Sequence, residues 1–384
     1  MFEKRFARQL TSQRQAGLYR NPPQITRREG RYVFLGDRKV LNFSSNDYLS
    51  LSTSRQLRRS LARNVMKYGA SSSSSRLVSA NYSLIGRAER EYARYFGYED
   101  AVFFPSGYQT NYGVLSTLFQ PKDRIVFDKH IHASSVKGIR ASGADFYGYR
   151  HGSMDHLKKR LETLGPDQAA VVTESLFSMD GDLLDVGACC ELKKRFGFFC
   201  IIDEAHAFGA IGEKGRGIAR PAADAAVGTF GKALGLFGAF ILLPGYLKEY
   251  LLNFASPLIY TTSLPPAHAA TALDLLEMIE QADDRRQQLF DAGRLMKENL
   301  VREGFSVQGD AHILALQVGP EDRAVEVSRR LMENGIFAFP ARFPTVPLNR
   351  AILRIGLCAE HTEQDVNFFV ETLKRVYGEI EKSG

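Results

Sequence analysis

From about residue 100 the chain alternates short, unbroken apolar runs with stretches in which apolar positions recur every third or fourth residue. The runs AVFF (101–104), RIVF (124–127), AAVVTE (169–174), FFCIID (198–203) and AFILL (239–243) predict strands buried on both faces, as in a parallel sheet covered by helices. Between them, DHLKKRLETL (155–164) and ACCELKKRF (188–196) set charges around an apolar stripe and predict amphipathic crossover helices. The expected class is α/β, with a mostly parallel sheet flanked by helices. After Ser263 the periodic stretch 264–304 predicts one or two long helices leaving the sheet. Beyond it, ILALQV (313–318), an amphipathic segment at 322–334, ILRIGL (352–357) and a closing helix at 362–380 predict a smaller α+β domain. The expected organisation is an N-terminal arm over 1–40, a large α/β domain over 41–285 and a small C-terminal domain over 286–384.

With 384 residues, 44% of them hydrophobic and 24% charged, the chain has the make-up of an ordinary folded protein, which excludes wholesale disorder and fibrous repeats. Charge alters the picture at one end only. Of 50 Lys and Arg and 43 Asp and Glu, ten basic and three acidic residues fall in the first 40 positions, which leaves the remainder balanced. A basic arm on a neutral body lacks the basic face and groove-reading motif of a nucleic-acid binder, so no nucleic-acid partner is expected. An anionic substrate or carrier suits the arm better. Cys189, Cys190, Cys200 and Cys358 include no pair at the two-residue spacing of a metal or redox motif, so a reducing cytoplasm is expected and no metal site. The opening MFEKRFARQLTSQRQ has no signal-peptide core and no apolar run reaches membrane-spanning length, so no membrane association is expected.

Three features carry candidate chemistry. In open parallel sheets ligands sit outside the carboxyl ends of the strands, and Asp203 closes FFCIID there, with Glu204 and His206 directly after it. Taken alone, this also reads as a helix cap followed by a surface histidine. Ser106-Gly107-Tyr108 follows AVFFP and opens a helical stretch to Leu118; a small-residue helix start leaves N–H groups for an anion, phosphate above all, though it also makes an ordinary turn. Lys232 lies in TFGKALG (229–235), where glycine-flanked apolar surroundings favour a partly desolvated amine able to form an imine. Together, a phosphate site, an acid at a strand end, an imine-forming lysine and an imidazole are the groups that pyridoxal phosphate requires. His132, in KHIHASS (129–135), offers a ring to stack on it.

On these residues the chain resembles the α-oxoamine synthases, pyridoxal 5'-phosphate enzymes of fold type I that condense an amino acid with an acyl thioester and release carbon dioxide. The likeness runs nearly end to end through LNFSSNDYLSL (41–51), SGYQTN (106–111), HIHASS (130–135), ESLFSMDGD (174–182), IIDEAHAFGAIGEKGRG (201–217), TFGKALG (229–235), LIYTTSLPP (258–266) and PTVP (344–347). The resemblance implies that Lys232 links to the cofactor aldehyde, Asp203 faces the pyridine nitrogen, His132 stacks on the ring and His206 meets its phenolic oxygen. Gly107, Tyr108, Ser178 and Thr229 are implied phosphate ligands, with Thr262 supplied by a neighbouring subunit of a homodimer. Arg354 matches the arginine that takes the amino-acid carboxylate, and Asn46, Arg20 and Thr345 fall where substrates approach. Within the family the likeness is greatest to members of biotin biosynthesis that join L-alanine to a pimeloyl group carried by coenzyme A or a carrier protein. Sister enzymes using glycine or serine are the alternative. Where family members have a glycine-rich run, this chain reads Ala70-Ser71-Ser72-Ser73-Ser74-Ser75-Arg76; Phe343 replaces a proline, and Gly356 stands in place of a threonine.

Overall fold

In a computed structural model that describes residues 2–166 and 169–383, the chain forms two compact units, one of Leu49–Ser178 and Leu183–Arg286, the other of Met1–Tyr48, Met179–Asp182 and Gln287–Gly384.

The larger unit is built on a seven-stranded sheet. Its spatial order is Asp100–Phe104, Ala239–Leu243, Ala225–Thr229, Phe199–Asp203, Ala170–Glu174, Arg124–Asp128 and Asp145–Tyr149. The last five run parallel, while Ala239–Leu243 is antiparallel to both its neighbours. Every apolar run noted in the sequence is a strand, and AFILL is the one that runs against the rest. Only residues 230–238 join it to the preceding strand, a connection too short for the crossover that parallel pairing demands.

Two strands escape the apolar-run criterion, each for a physical reason. Asp145–Tyr149 lies at the sheet edge with its first residues exposed, so it carries no continuous apolar stretch. Ala225–Thr229 (AAVGT) is fully central yet made of small residues, because aromatic rings occupy the space above it: a Cβ on Gly228 would sit 2.3 Å from the Phe240 ring and 2.7 Å from that of Phe208. The helices Gly107–Leu118 and Ala133–Ser142 cover one part of this sheet, sealing Val102, Ile125, Val172, Ile201 and Val227 in a continuous core.

Helix starts in this unit are set by side chains that satisfy orphan amides. Ser106 Oγ accepts from Gln109 N, Ser153 Oγ from His156 N and Asp185 from Ala188 N, while His132 Nδ1 takes that role for Ser134 N. The stretch after Ser263 is two helices, Pro266–Glu280 and Asp283–Arg302.

The smaller unit corrects the expected boundaries. Residues 1–40 are no separate arm, and 41–48 do not belong with the large sheet. Tyr32–Leu35 and Arg38–Asn42 form a hairpin whose second strand pairs in parallel with Ile336–Phe337. Met179–Asp182 also joins this unit, where Gly181 O accepts from Asp310 N. The pairing with Ile336–Phe337 and the bond between Asp310 and Gly181 left no mark in the sequence, because each joins segments distant along the chain. A second sheet holds Val307–Gln308, Ile313–Gly319, Ala351–Gly356 and Phe339–Ala341 in that order, with helices Glu321–Glu333 and Glu363–Ser383 in the same unit. Ahead of all this, helix Phe2–Gln15 buries none of its residues; Arg342 donates to the carbonyls of Gly17 and Tyr19 just beyond it.

The packing at Gly228 makes a prediction. Gly228→Val forces the Phe208 and Phe240 rings apart and is expected to cost about 1–3 kcal/mol of unfolding free energy, read by denaturant titration of the purified protein. Unchanged stability would mean that the rings are not fixed against this strand.

Candidate active site

The carboxyl ends of the parallel strands gather the reactive groups of the larger unit. A cavity of about 210 Å³ there is lined by Gly107, Tyr108, Asn111, His132, Glu174, Ser178, Asp203, His206, Thr229 and Lys232, among others. Eight residues singled out by sequence, Lys232, Asp203, His132, His206, Gly107, Tyr108, Ser178 and Thr229, meet at this one site.

Strand register places the acids. Glu174 and Asp203 are partners on adjacent parallel strands, each the last residue of its strand. Asp203 is held on both oxygens: Oδ2 accepts from Asn111 Nδ2 at 2.7 Å and Oδ1 from Ala205 N at 2.8 Å. Asn111 itself is fixed in the buried face of helix Gly107–Leu118, where its Nδ2 also reaches Ser134 Oγ at 3.1 Å. Glu174 is fully buried and accepts the His132 N–H through Oε1 at 2.5 Å. Burial, reinforced by the Asp203 carboxylate, pushes the Glu174 carboxyl well above the ordinary carboxylate range despite that bond.

Lys232 and His206 form a contact of their own, with Lys232 Nζ 2.8 Å from His206 Nε2. The two atoms are close enough to pass a proton. The His132 ring keeps an open edge at the mouth of the cavity, with Nδ1 2.6 Å from Ser134 Oγ. Packing on its other side lowers its pKa below 6.5; the Asp203 charge opposes that shift and Lys232 adds to it.

The phosphate-binding expectation has a concrete basis. The first backbone bond of helix Gly107–Leu118 runs from Thr110 N to Ser106 O, and Ser106 Oγ takes Gln109 N. The N–H groups of Gly107 and Tyr108 precede these and have no acceptor within the helix, and both residues line the cavity. Thr229 Oγ1 is anchored to Gly238 O at 3.1 Å and accepts from Gly231 N at 3.1 Å, which pins the turn that carries Lys232.

The remaining candidates lie elsewhere. In the smaller unit Arg354 is buried, and its Nη2 donates to Asn46 Oδ1 at 3.1 Å and to the Tyr48 hydroxyl at 3.3 Å. Ser45 O lies 2.8 Å from where a Cβ on Gly356 would sit, so the backbone bearing Asn46 approaches the Arg354 strand as closely as only glycine permits. Arg20 and Thr345 are exposed in that unit, and Thr262 is exposed in the larger one, outside the cavity lining. Sequence reasoning passed over Glu174 and Asn111. Glu174 closes the run AAVVTE just as Asp203 closes FFCIID, a signal that was present; Asn111 is recognisable only once its helix is folded.

Comparison with known proteins sets this geometry in context. The family model described as aminotransferase class I and II matches residues 38–373. The chain belongs to that family. Within it, this aminotransferase class I and II chain falls in the α-oxoamine synthase branch: it is 37% identical to an 8-amino-7-oxononanoate synthase of Chlorobaculum parvum, over 97% of this chain and 98% of that protein. Among solved structures, a serine palmitoyltransferase of Sphingomonas wittichii superposes with a TM-score of 0.90 at 27% identity, covering 98% of this chain and 97% of that one. An 8-amino-7-oxononanoate synthase of Francisella tularensis gives 0.78 at 29% identity over 89% of this chain and 99% of that one. The fold is that of the fold type I transferases.

Next to Asp203, Glu204 gives the site a measurable pH signature. It is fully buried, accepting from Ser175 Oγ at 2.7 Å and Ala219 N at 2.7 Å, yet burial outweighs these bonds and its pKa rises from 4.5 to about 7. The fold therefore binds this proton more tightly than the unfolded chain does. Its contribution to stability is complete below pH 4.5 and is lost as pH rises through about 7, a change of roughly 3 kcal/mol. Glu204→Gln keeps an acceptor for Ala219 N and is expected to flatten the decline in unfolding free energy between pH 4.5 and 7. An undiminished slope in the variant would assign the decline to other groups.

Proposed function

We propose that this protein joins L-alanine to a pimeloyl thioester, with loss of carbon dioxide, to give 8-amino-7-oxononanoate for biotin biosynthesis. Its cofactor is pyridoxal 5'-phosphate. The observation that carries the reading is the convergence of Lys232, His206, Asp203 and the open helix start at Gly107 in one cavity, on a chain aligned end to end with synthases of that name.

The donor set fits the cofactor. Gly107 and Tyr108 amides, with the Ser178 hydroxyl and the Thr229 hydroxyl once it turns from Gly238 O, suit a phosphate dianion; Lys232 suits an aldehyde; Asp203, an acceptor on both oxygens, suits a protonated ring nitrogen. His132 and His206 line the same cavity; His132 would stack on the ring and His206 would meet its phenolic oxygen. When bound, pyridoxal phosphate supplies an electron sink for the substrate's α-carbon.

The protein's own groups then do the positioning and the proton transfer. The Lys232 amine, hydrogen-bonded to His206, takes the proton from the α-carbon of alanine and later returns one to the product. Arg354, already steadied by Asn46 and Tyr48, offers a planar fork to the amino-acid carboxylate. Arg20 and Thr345, together with Asn46, serve the approach of the acyl donor. Thr262 serves a phosphate in a neighbouring subunit, which makes the active form a homodimer. The balance is one alanine and one acyl thioester consumed, and one amino ketone, one carbon dioxide and one free thiol released.

A sister activity with glycine or serine is the second reading, favoured by the likeness to the serine palmitoyltransferase; the serine run at 71–75 bears instead on which acyl chain is accepted. In that run Ser73 adopts φ +51°, a left-handed conformation that glycine takes more readily, and Ser72 Oγ donates to Ser263 O at 2.7 Å.

Two experiments test these readings. Absorbance titration of the cofactor-loaded protein with L-alanine, glycine and L-serine, each with and without pimeloyl thioester, is expected to show a spectral change for L-alanine that the thioester alters further. A response to glycine or serine alone moves the assignment to the sister enzymes. Separately, Lys232→Ala is expected to retain pyridoxal phosphate without a covalent link and to lose at least about 10²–10⁴-fold in kcat, the range a positioned proton-transfer group supplies. Near-normal turnover in that variant would end the proposed role of Lys232.

A further inference from the structure

The helix Arg55–Tyr68 in the larger unit has a face for which the chemistry above has no use. It carries Arg55, Arg58, Arg59, Arg63 and Lys67 and no acidic residue. Its buried side is Leu57, Ser60 and Asn64, turned toward helix Pro266–Glu280 through the bonds of Asn64 and Ser60 to Thr271 and Asp274. At 100° per residue, Arg58, Arg55, Arg59 and Arg63 cover about 140° of the opposite side, with Ala62 and Met66 between them. Met66 is 87% exposed. Arg63 is paired with Asp274 at 2.6 Å, whereas Arg55, Arg58 and Arg59 have no acidic partner among the described residues. Arg55, Arg59 and Arg63 also line an open cleft of about 550 Å³ that includes Glu277 and Met278.

We propose that this face docks the acidic helix of an acyl carrier protein, the form in which the acyl thioester is delivered. The inference rests on the proposed thioester chemistry and specifies the carrier. Three guanidinium groups without acidic partners favour an anionic partner, and Arg55, Arg58 and Arg59 are spread over about 6 Å of helix and about 100° of its circumference, which suits several separate carboxylates better than a single phosphate needing convergent donors. The bare Met66 at one end gives such a helix an apolar contact. A carrier protein presents its acyl group on a long flexible arm, so its docking surface need not lie within the reaction cavity. The helix ends at Gly69, directly before the serine run that takes the place of the family's glycines.

The test is the charge-reversed variant Arg55→Glu/Arg58→Glu/Arg59→Glu, assayed with L-alanine and two donors, pimeloyl-loaded acyl carrier protein and pimeloyl-coenzyme A. The expected result is a rise of at least about tenfold in KM for the carrier-bound donor, steep salt dependence of the wild-type KM, and no more than about a twofold change for pimeloyl-coenzyme A. An unchanged carrier KM overturns the proposal, and so does an equal rise for both donors, which would make the face a coenzyme A site. Fluorescence anisotropy with labelled acyl carrier protein reads docking without turnover. Binding that survives the reversal, or wild-type binding to a DNA duplex as tight as to the carrier, overturns it as well. Absence of turnover with either donor in the wild type, while the carrier still binds and the reversal abolishes that binding, would fault the reaction assignment and leave the docking surface standing.

Discussion

Two carboxyl groups on neighbouring strand ends set the terms for the whole site. Glu174 and Asp203 occupy paired register positions at the rim of the sheet, and a buried rim does not readily carry two adjacent negative charges. The conflict is settled by unequal hydrogen bonding. Asp203 receives donors on both oxygens, from Asn111 and from the Ala205 amide, whereas Glu174 sits wholly within the protein, where burial pushes its carboxyl well above the ordinary carboxylate range. Asp203 thus lines the cavity with both oxygens braced by donors, while Glu174 supports the His132 backbone from within the protein.

That division explains why residues with no obvious chemistry are part of the arrangement. Asn111 links Asp203 to Ser134, and Ser134 touches the His132 ring, so the helices Gly107–Leu118 and Ala133–Ser142 are tied to the carboxylate they flank. On the other side, the turn after Thr229 is pinned by the threonine hydroxyl and sets Lys232 against His206. Each reactive group is therefore borne by the end of a strand or helix, or by a short turn leaving one, and rigid supports of this kind hold catalytic geometry better than long loops do.

Much of this was legible in the sequence because the physics that makes a buried parallel strand is local. Five apolar runs marked five of the seven strands; the acid closing FFCIID marked Asp203, and the glycine-flanked TFGKALG ahead of AFILL marked Lys232. What stayed hidden depended on partners far away in the chain. AAVGT reads as a weak segment until Phe208 and Phe240 are seen to require its small side chains. Residues 1–40 read as an arm, and 41–48 as the start of the large domain, because nothing within them announces a parallel partner at Ile336. Asn111 lies in an unremarkable amphipathic stretch, and its role exists only after two helices and a strand have met.

The pairing of the first strands with the last third of the chain also bears on how the protein is made. The larger unit is almost continuous in sequence and has all its strands once residue 243 has been synthesised. Arg38, by contrast, hydrogen-bonds to the carbonyl of Met332, 294 residues later, so the N-terminal hairpin leaves the ribosome long before its partner exists. Translation at roughly 5–20 residues per second leaves that strand edge open for tens of seconds, a period in which chaperone contact or pairing with another nascent chain competes with the native fold.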